Sequence, residues 1–257
     1  MYKTLIYEVT DGIATITLNR PEAGNAFSID AFRETTEVFE ECDRDERVKA
    51  VIITGSGKNF SAGGDVKAMQ TKGYISYENA IITSGMSGAV KKCSKPVVAM
   101  INGTAAGAGF GLALACDFRI MSEKSSLISA FIGVGLTGDT GSLYHLYHIV
   151  GLSKTLELMM LGTPIKGESA YTLGLATKLV PEDQLQIATK EFAEKLKEKA
   201  PLTVALQKKL IYDHFYKDYD EYRELEARVF DDSGNTKDHL EAVMAFLSKR
   251  KPVFKGL

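Results

Sequence analysis

Two segments nearly stripped of side chains, each placed just beyond a short apolar run, constrain this 257-residue chain more than any other feature. The first is Phe60-Ser61-Ala62-Gly63-Gly64-Asp65-Val66, after the run Ala50-Val51-Ile52-Ile53-Thr54. The second is Asn102-Gly103-Thr104-Ala105-Ala106-Gly107-Ala108-Gly109-Phe110-Gly111, after Pro96 to Ile101. Continuous apolar runs of this length fit strands buried on both faces, so the two turns are expected side by side at the edge of a sheet. With almost no side chains there, a ligand oxygen can approach backbone N–H groups closely. Two such donors aimed at one point stabilise charge that develops on a carbonyl. A single glycine-rich turn is ordinary loop chemistry; the pair carries the inference.

The rest of the chain repeats the same grammar. Leu5 to Val9 and Ile13 to Leu18 alternate around Asp11-Gly12, a dipeptide suited to a tight hairpin, which predicts two antiparallel strands. Ser28 can cap a following helix whose Ile29, Phe32, Thr36 and Phe39 fall at helical spacing. Strand, turn and helix recur at Pro96 to Ala115, and a further strand is expected over Asp117 to Met121. Repeated β-then-α units with no Pro/Gly/Ser linker indicate one core. From Pro181 the pattern becomes helical, with candidates at 184–200, 202–214 and 240–249, around an aromatic and charged stretch from Tyr216 to Arg223. The expected organisation is therefore an α/β core over residues 1–195 and a helical C-terminal region over 196–257. The polar stretch 67–79 is the expected mobile segment of the core.

Composition excludes several functions. A formal net charge of −2 offers no basic field for nucleic acid or an anionic membrane surface. Cys42, Cys93 and Cys116 are odd in number and lack metal-ligand spacing, so neither a disulfide framework nor a structural zinc is expected. No run reaches the roughly 18 apolar residues needed to span a bilayer, and the start lacks a long apolar leader, so a cytoplasmic location is expected. His145 and His148 share a helix face and could imitate a metal pair, but with Tyr144 and Tyr147 interleaved they read as helix packing. His214 and His239 read as surface or boundary residues.

In ordered fashion the chain resembles the crotonase (enoyl-CoA hydratase/isomerase) family. The resemblance is carried by Thr17-Leu18-Asn19-Arg20-Pro21-Glu22-Ala23-Gly24-Asn25-Ala26, by Phe60 to Met69, by Asn102 to Asp117, by Ala170-x-x-x-Gly174-Leu175-Ala176 with Leu179-Val180, and by the tail Phe246 to Phe254. It implies a spiral of ββα units with a helical C-terminal trimerisation region, and a homotrimer or dimer of trimers. It also implies an acyl thioester of coenzyme A or acyl carrier protein as substrate, with no further cofactor and no metal. The two oxyanion donors then fall on the backbone N–H groups of Gly64 and Ala108. Ala23, Ala62, Asp65, Val66, Lys67 and Phe131 fall on substrate-lining positions, and Lys249, Arg250 and Lys251 could meet phosphates or simply end a helix.

The acid/base half departs from the hydratase pattern. Positions that hold two glutamates in hydratases of the family hold Gly111 and Phe131 here, and neither moves a proton. Asp139, in Gly135-Leu136-Thr137-Gly138-Asp139-Thr140-Gly141, matches the aspartate of several isomerases of the family, although Thr137 replaces their usual proline. A single base that takes a proton from one carbon and returns it to another shifts a double bond. An aspartate in such a turn can equally bond its own backbone or cap a helix starting at Ser142. The resemblance thus favours a 3-enoyl to 2-enoyl thioester isomerase with Asp139 as base; the alternatives are a hydratase, another enolate reaction of the family, and a non-catalytic acyl-CoA-binding protein.

Overall fold

The computed structural model describes residues 2–257. Strands β1 (Leu5–Thr10) and β2 (Ile13–Leu18) form the expected hairpin, with Asp11 and Gly12 at φ 50° and 80°, the left-handed pair a two-residue hairpin turn requires. Helix α1 (Ile29–Arg44) starts at Ser28, whose Oγ accepts from Ala31 N–H at 3.2 Å, and it buries Phe32 and Phe39. Strand β3 (Ala50–Gly55) is buried at every position, as its unbroken apolar run demands. Helix α2 (Tyr77–Lys92) and strand β4 (Val97–Ile101) follow.

A short strand not foreseen in the sequence comes next. β5 (Thr104–Ala106) leaves the main sheet and later pairs with β7 (Ser126–Ile128), which in turn pairs with β8 (Ile165–Lys166), making a second, three-stranded sheet. Three small residues carry no hydrophobic alternation, so only the remote partner Ser126–Ile128 makes them a strand. Between them run helix α3 (Ala108–Ala115), buried throughout, and strand β6 (Phe118–Ser122). Helices α4 (Ser142–Leu161) and α5 (Gly167–Thr172) lead to β9 (Lys178–Val180). The main sheet has the order β1-β2-β3-β4-β6-β9 and is parallel from β2 onward.

Both faces of this sheet are covered. Ile16, Val51, Ile53, Val97 and Ala99 enter the large core with α1, α2 and α3, while Ile13, Ala50, Ile52, Val98 and Ile120 turn the other way against α6 (Leu185–Lys197). The strand period of two explains the division. Helices α7 (Pro201–Phe215), α8 (Tyr219–Gly234) and α9 (Lys237–Leu247) complete the chain. The aromatic and charged stretch at 216–223 covers the turn after α7 and the start of α8, which packs on α2 of the same chain. Leu202, Leu206 and Leu210 leave an exposed apolar stripe along α7. No helix among the described residues is long and apolar enough to cross a membrane.

Candidate functional site

The two glycine-rich turns meet. Ser61 and Ala105 form a parallel bridge, with Ser61 N–H donating to Thr104 O at 3.0 Å and Ala106 N–H to Ser61 O at 2.9 Å. Gly63 sits at φ 97°, and a Cβ there would lie 2.8 Å from Ala106 O, so no other residue fits this contact. On either side of Gly64 the amides are engaged: Gly63 N–H donates to Ser61 Oγ at 3.1 Å and Asp65 N–H to Phe27 O at 3.0 Å. The Gly64 N–H has no such partner among the described residues. Ala108 is the first residue of α3, so its N–H belongs to the group that a helix leaves unpaired, at the positive end of the helix dipole. Two free donors therefore stand on adjoining turns.

They open into a cavity of about 150 Å³ lined by Ala62, Gly64, Val66, Ala108, Phe131 and Asp139. Six of the sequence-predicted site residues thus come together. Ala23, Asp65 and Lys67 do not line it. Ala23 closes the short helical turn Pro21–Ala23, and the next residue, Gly24, ties that turn to the cavity lining by accepting from Ala62 N–H at 2.9 Å. The Asp65 carboxylate lies 3.5 Å from the Arg20 guanidinium and accepts from Lys67 N–H at 3.2 Å. Lys67 itself is exposed.

Asp139 is 5% exposed, and its Oδ1 has no hydrogen-bond partner among the described residues. Burial pushes its carboxyl up to about 6, against the opposing effect of the Thr83 and Thr140 hydroxyls, which favour the charged form. Its side chain does not cap α4. Gly141 is the N-cap residue, and the link to that helix is a backbone one, Ser142 N–H to Asp139 O at 3.0 Å. The turn around it is strained: Thr140, a β-branched residue, sits at φ 56° between Gly138 at 117° and Gly141 at 67°. Such a residue costs on the order of 1–3 kcal/mol and persists only where its surroundings hold it.

The strained Thr140 also explains position 111. A Cβ built on Gly111 would overlap Thr140 Oγ1, so the space a longer side chain would need is already filled. Gly111→Glu is expected to destabilise the fold by at least the roughly 1–3 kcal/mol of an overpacked core site. Thr140→Gly in the same chain should return part of the lost melting temperature; no recovery would mean that Thr140 is not the obstruction.

Several residues around the cavity were not picked out in the sequence. Phe230 of α8 and Phe246 of α9 close it from the C-terminal helices. A smaller void of about 20 Å³ lies behind Gly64 and Asp139, shared with Thr83 and Tyr74, and the buried Tyr74 hydroxyl is unpartnered among the described residues. Aromatic residues in helices and loops read equally as core, so no local signal distinguishes these.

Other expectations resolve as follows. His145 is fully buried, its Nε2 lies 3.0 Å from the Tyr219 hydroxyl, and burial holds its pKa well below the ordinary value. His239 is a correction: expected at the surface or boundary, it is 1% exposed, with Nδ1 2.7 Å from Val134 O, because α9 packs on the Phe131–Val134 turn. All three cysteines are free and buried. Arg250 is engaged by Glu241 at 2.8 Å. A larger cleft of about 550 Å³ between α2 and α7 holds Lys208 and Tyr212, both already bound to Asp117 at 2.7 and 2.6 Å.

The family model for enoyl-CoA hydratase/isomerase matches residues 8–257. The chain belongs to the enoyl-CoA hydratase/isomerase family. Among its relatives is the trans-2-decenoyl-[acyl-carrier-protein] isomerase of Streptococcus mutans, 32% identical over 99% of each chain. The short-chain-enoyl-CoA hydratase of Clostridium acetobutylicum is 33% identical over 96% of this chain and 95% of the relative. In structure, the chain is similar to an enoyl-CoA hydratase from Mycobacterium avium subsp. paratuberculosis K-10, with a TM-score of 0.92, 25% identity, and coverage of 99% and 100%. The crotonase-like α/β fold is thereby established, and relatives of both catalytic kinds stand at similar distance.

Proposed function

We propose that this protein is an acyl-thioester double-bond isomerase that interconverts 3-enoyl and 2-enoyl groups, with Asp139 as the proton shuttle. The observation that supports this reading most is the Asp139 carboxyl, the only carboxylate among the residues lining the 150 Å³ cavity, buried beside the free amides of Gly64 and Ala108. The thioester carbonyl accepts from both amides. Asp139 removes a proton from C2, the electrons shift to the carbonyl oxygen as a dienolate, and the same proton returns to C4, leaving the double bond between C2 and C3. Phe131 and Phe230 keep the cavity apolar, which favours return of the proton to carbon over loss to solvent. Coenzyme A or acyl carrier protein carries the acyl group. The apolar stripe of α7 supports assembly into a trimer or a dimer of trimers.

Hydration is the second reading, and one feature favours it. The 20 Å³ void between Gly64, Thr83, Tyr74 and Asp139 is large enough for one water. Product analysis separates the two. A 3-enoyl thioester in D₂O should give the conjugated 2-enoyl product, and crotonyl-CoA should give little 3-hydroxyacyl product. Hydration of crotonyl-CoA at a kcat/KM of about 10⁴ M⁻¹s⁻¹ or more would overturn the isomerase reading. The isomerisation rate should rise with pH and level off above about 6, because the base must be ionised and burial holds its pKa there.

A further inference from the structure

We infer that Glu226, on α8, is a positioning residue for Asp139: its carboxylate anchors the backbone of the strained turn and so aims the base into the cavity. This rests on the reading of Asp139 as the base.

The geometry is direct. Gly141 N–H donates to Glu226 Oε2 at 2.9 Å, and the Tyr222 hydroxyl donates to Glu226 Oε1 at 3.0 Å. Glu226 is 7% exposed, so these contacts are not loosened by water. Gly141 lies two residues beyond Asp139 and follows Thr140, the residue at φ 56°. A conformation that costs energy needs a partner holding it, and the Glu226 carboxylate is the one side-chain group bound to the Gly141 amide. A Cβ on Gly141 would overlap the Tyr219 hydroxyl, itself 2.8 Å from Ser87 Oγ. One helical turn past Glu226, Phe230 lines the cavity, so a single face of α8 delivers both the anchor and part of the wall. Helix α8, within the helical C-terminal region, thereby becomes a support of the site.

The charged and titratable groups facing Glu226 are Tyr219, Tyr222 and Arg223 of its own helix and Asp139 of the turn, and those facing Asp139 include Tyr74 from the loop before α2. Burial pushes the Glu226 carboxyl up to about 8, with Asp139 adding to the shift and the Gly141 amide opposing it. What the turn requires of the anchor is reach: an acceptor oxygen held at the Gly141 amide.

Two substitutions separate reach from charge. Glu226→Asp keeps the carboxyl group and withdraws the oxygen from Gly141 by one methylene. Its kcat should fall about 10- to 100-fold, the scale of a misplacement of about 1 Å, with KM within about threefold. Its acidic limb should move from about 6 toward the ordinary carboxylate range, as water reaches a relaxed Asp139. Glu226→Gln keeps an acceptor at full length and removes the titratable group; kcat within about threefold of wild type and an unmoved limb are expected. A Glu226→Asp enzyme with wild-type kcat and limb would overturn the inference, as would a Glu226→Gln enzyme as impaired as Glu226→Asp. Should Glu226→Asp not fold, Glu226→Gln decides alone: retained kcat supports anchoring by reach, and loss refutes it. Asp139→Asn run alongside keeps the two ideas apart, because an active Asp139→Asn enzyme removes the base itself, whereas an inactive one with an unaffected Glu226→Asp removes only the anchor.

Discussion

Replacing Asp139 by Asn is expected to lower isomerisation about 10²–10⁴-fold, the usual contribution of a general base, while substrate affinity stays nearly unchanged. The two side chains have almost the same volume, so the cavity lining they share with Phe131 and Leu136 is kept. The same substitution should also stabilise the fold at neutral pH. In the unfolded chain an aspartate ionises near 3.9, whereas burial raises the folded value to about 6. Between these values the folded state binds more protons, so stability falls as pH rises from about 4 to about 6 and stays low above it. Asn has no charge to bury, and a gain on the order of 2 kcal/mol at pH 8 is expected. Thermal melts at pH 4 and pH 8 check this: the difference between wild type and Asp139→Asn should open with pH. Activity within about threefold of wild type would return Asp139 to a structural role in its turn.

Gly64→Val should abolish turnover, with a loss of at least the roughly 10²-fold that follows removal of one oxyanion donor. The position is not at positive φ, so valine is tolerated by the backbone. A Cβ there would come 2.8 Å from Met69 Cε, the free end of a flexible side chain that can turn aside. What suffers is the approach of a ligand, because a β-branched side chain fills the space in front of the Gly64 amide. Folding measured by circular dichroism should therefore be close to wild type while kcat/KM collapses. A folded and fully active variant would show that the first donor has been misassigned.

How far the sequence carries differs from element to element, for a physical reason that is visible in particular residues. Asp11-Gly12, Ser28 and the apolar run of β3 act through contacts within a few residues, and each produced the element read from it. The two small-residue turns also declared themselves locally, because side chains are missing there for any reader to see. The α8 helix was half read, as an aromatic and charged stretch, since Tyr219, Tyr222 and Glu226 find their partners far away in Ser87, Tyr144 and Gly141.

By itself, then, the chain determined that an α/β core presents two glycine-rich turns near one another, with Asp139 in a third turn rich in glycine. Only the tertiary structure decided that Thr140 occupies the space beside Gly111, that His239 is buried, that Thr104–Ala106 is a strand, that Phe230 and Phe246 line the cavity, and that Glu226 binds the Gly141 amide. Each of these depends on a residue many positions away, and a contact of that kind leaves no period or local propensity in the sequence from which it could be read.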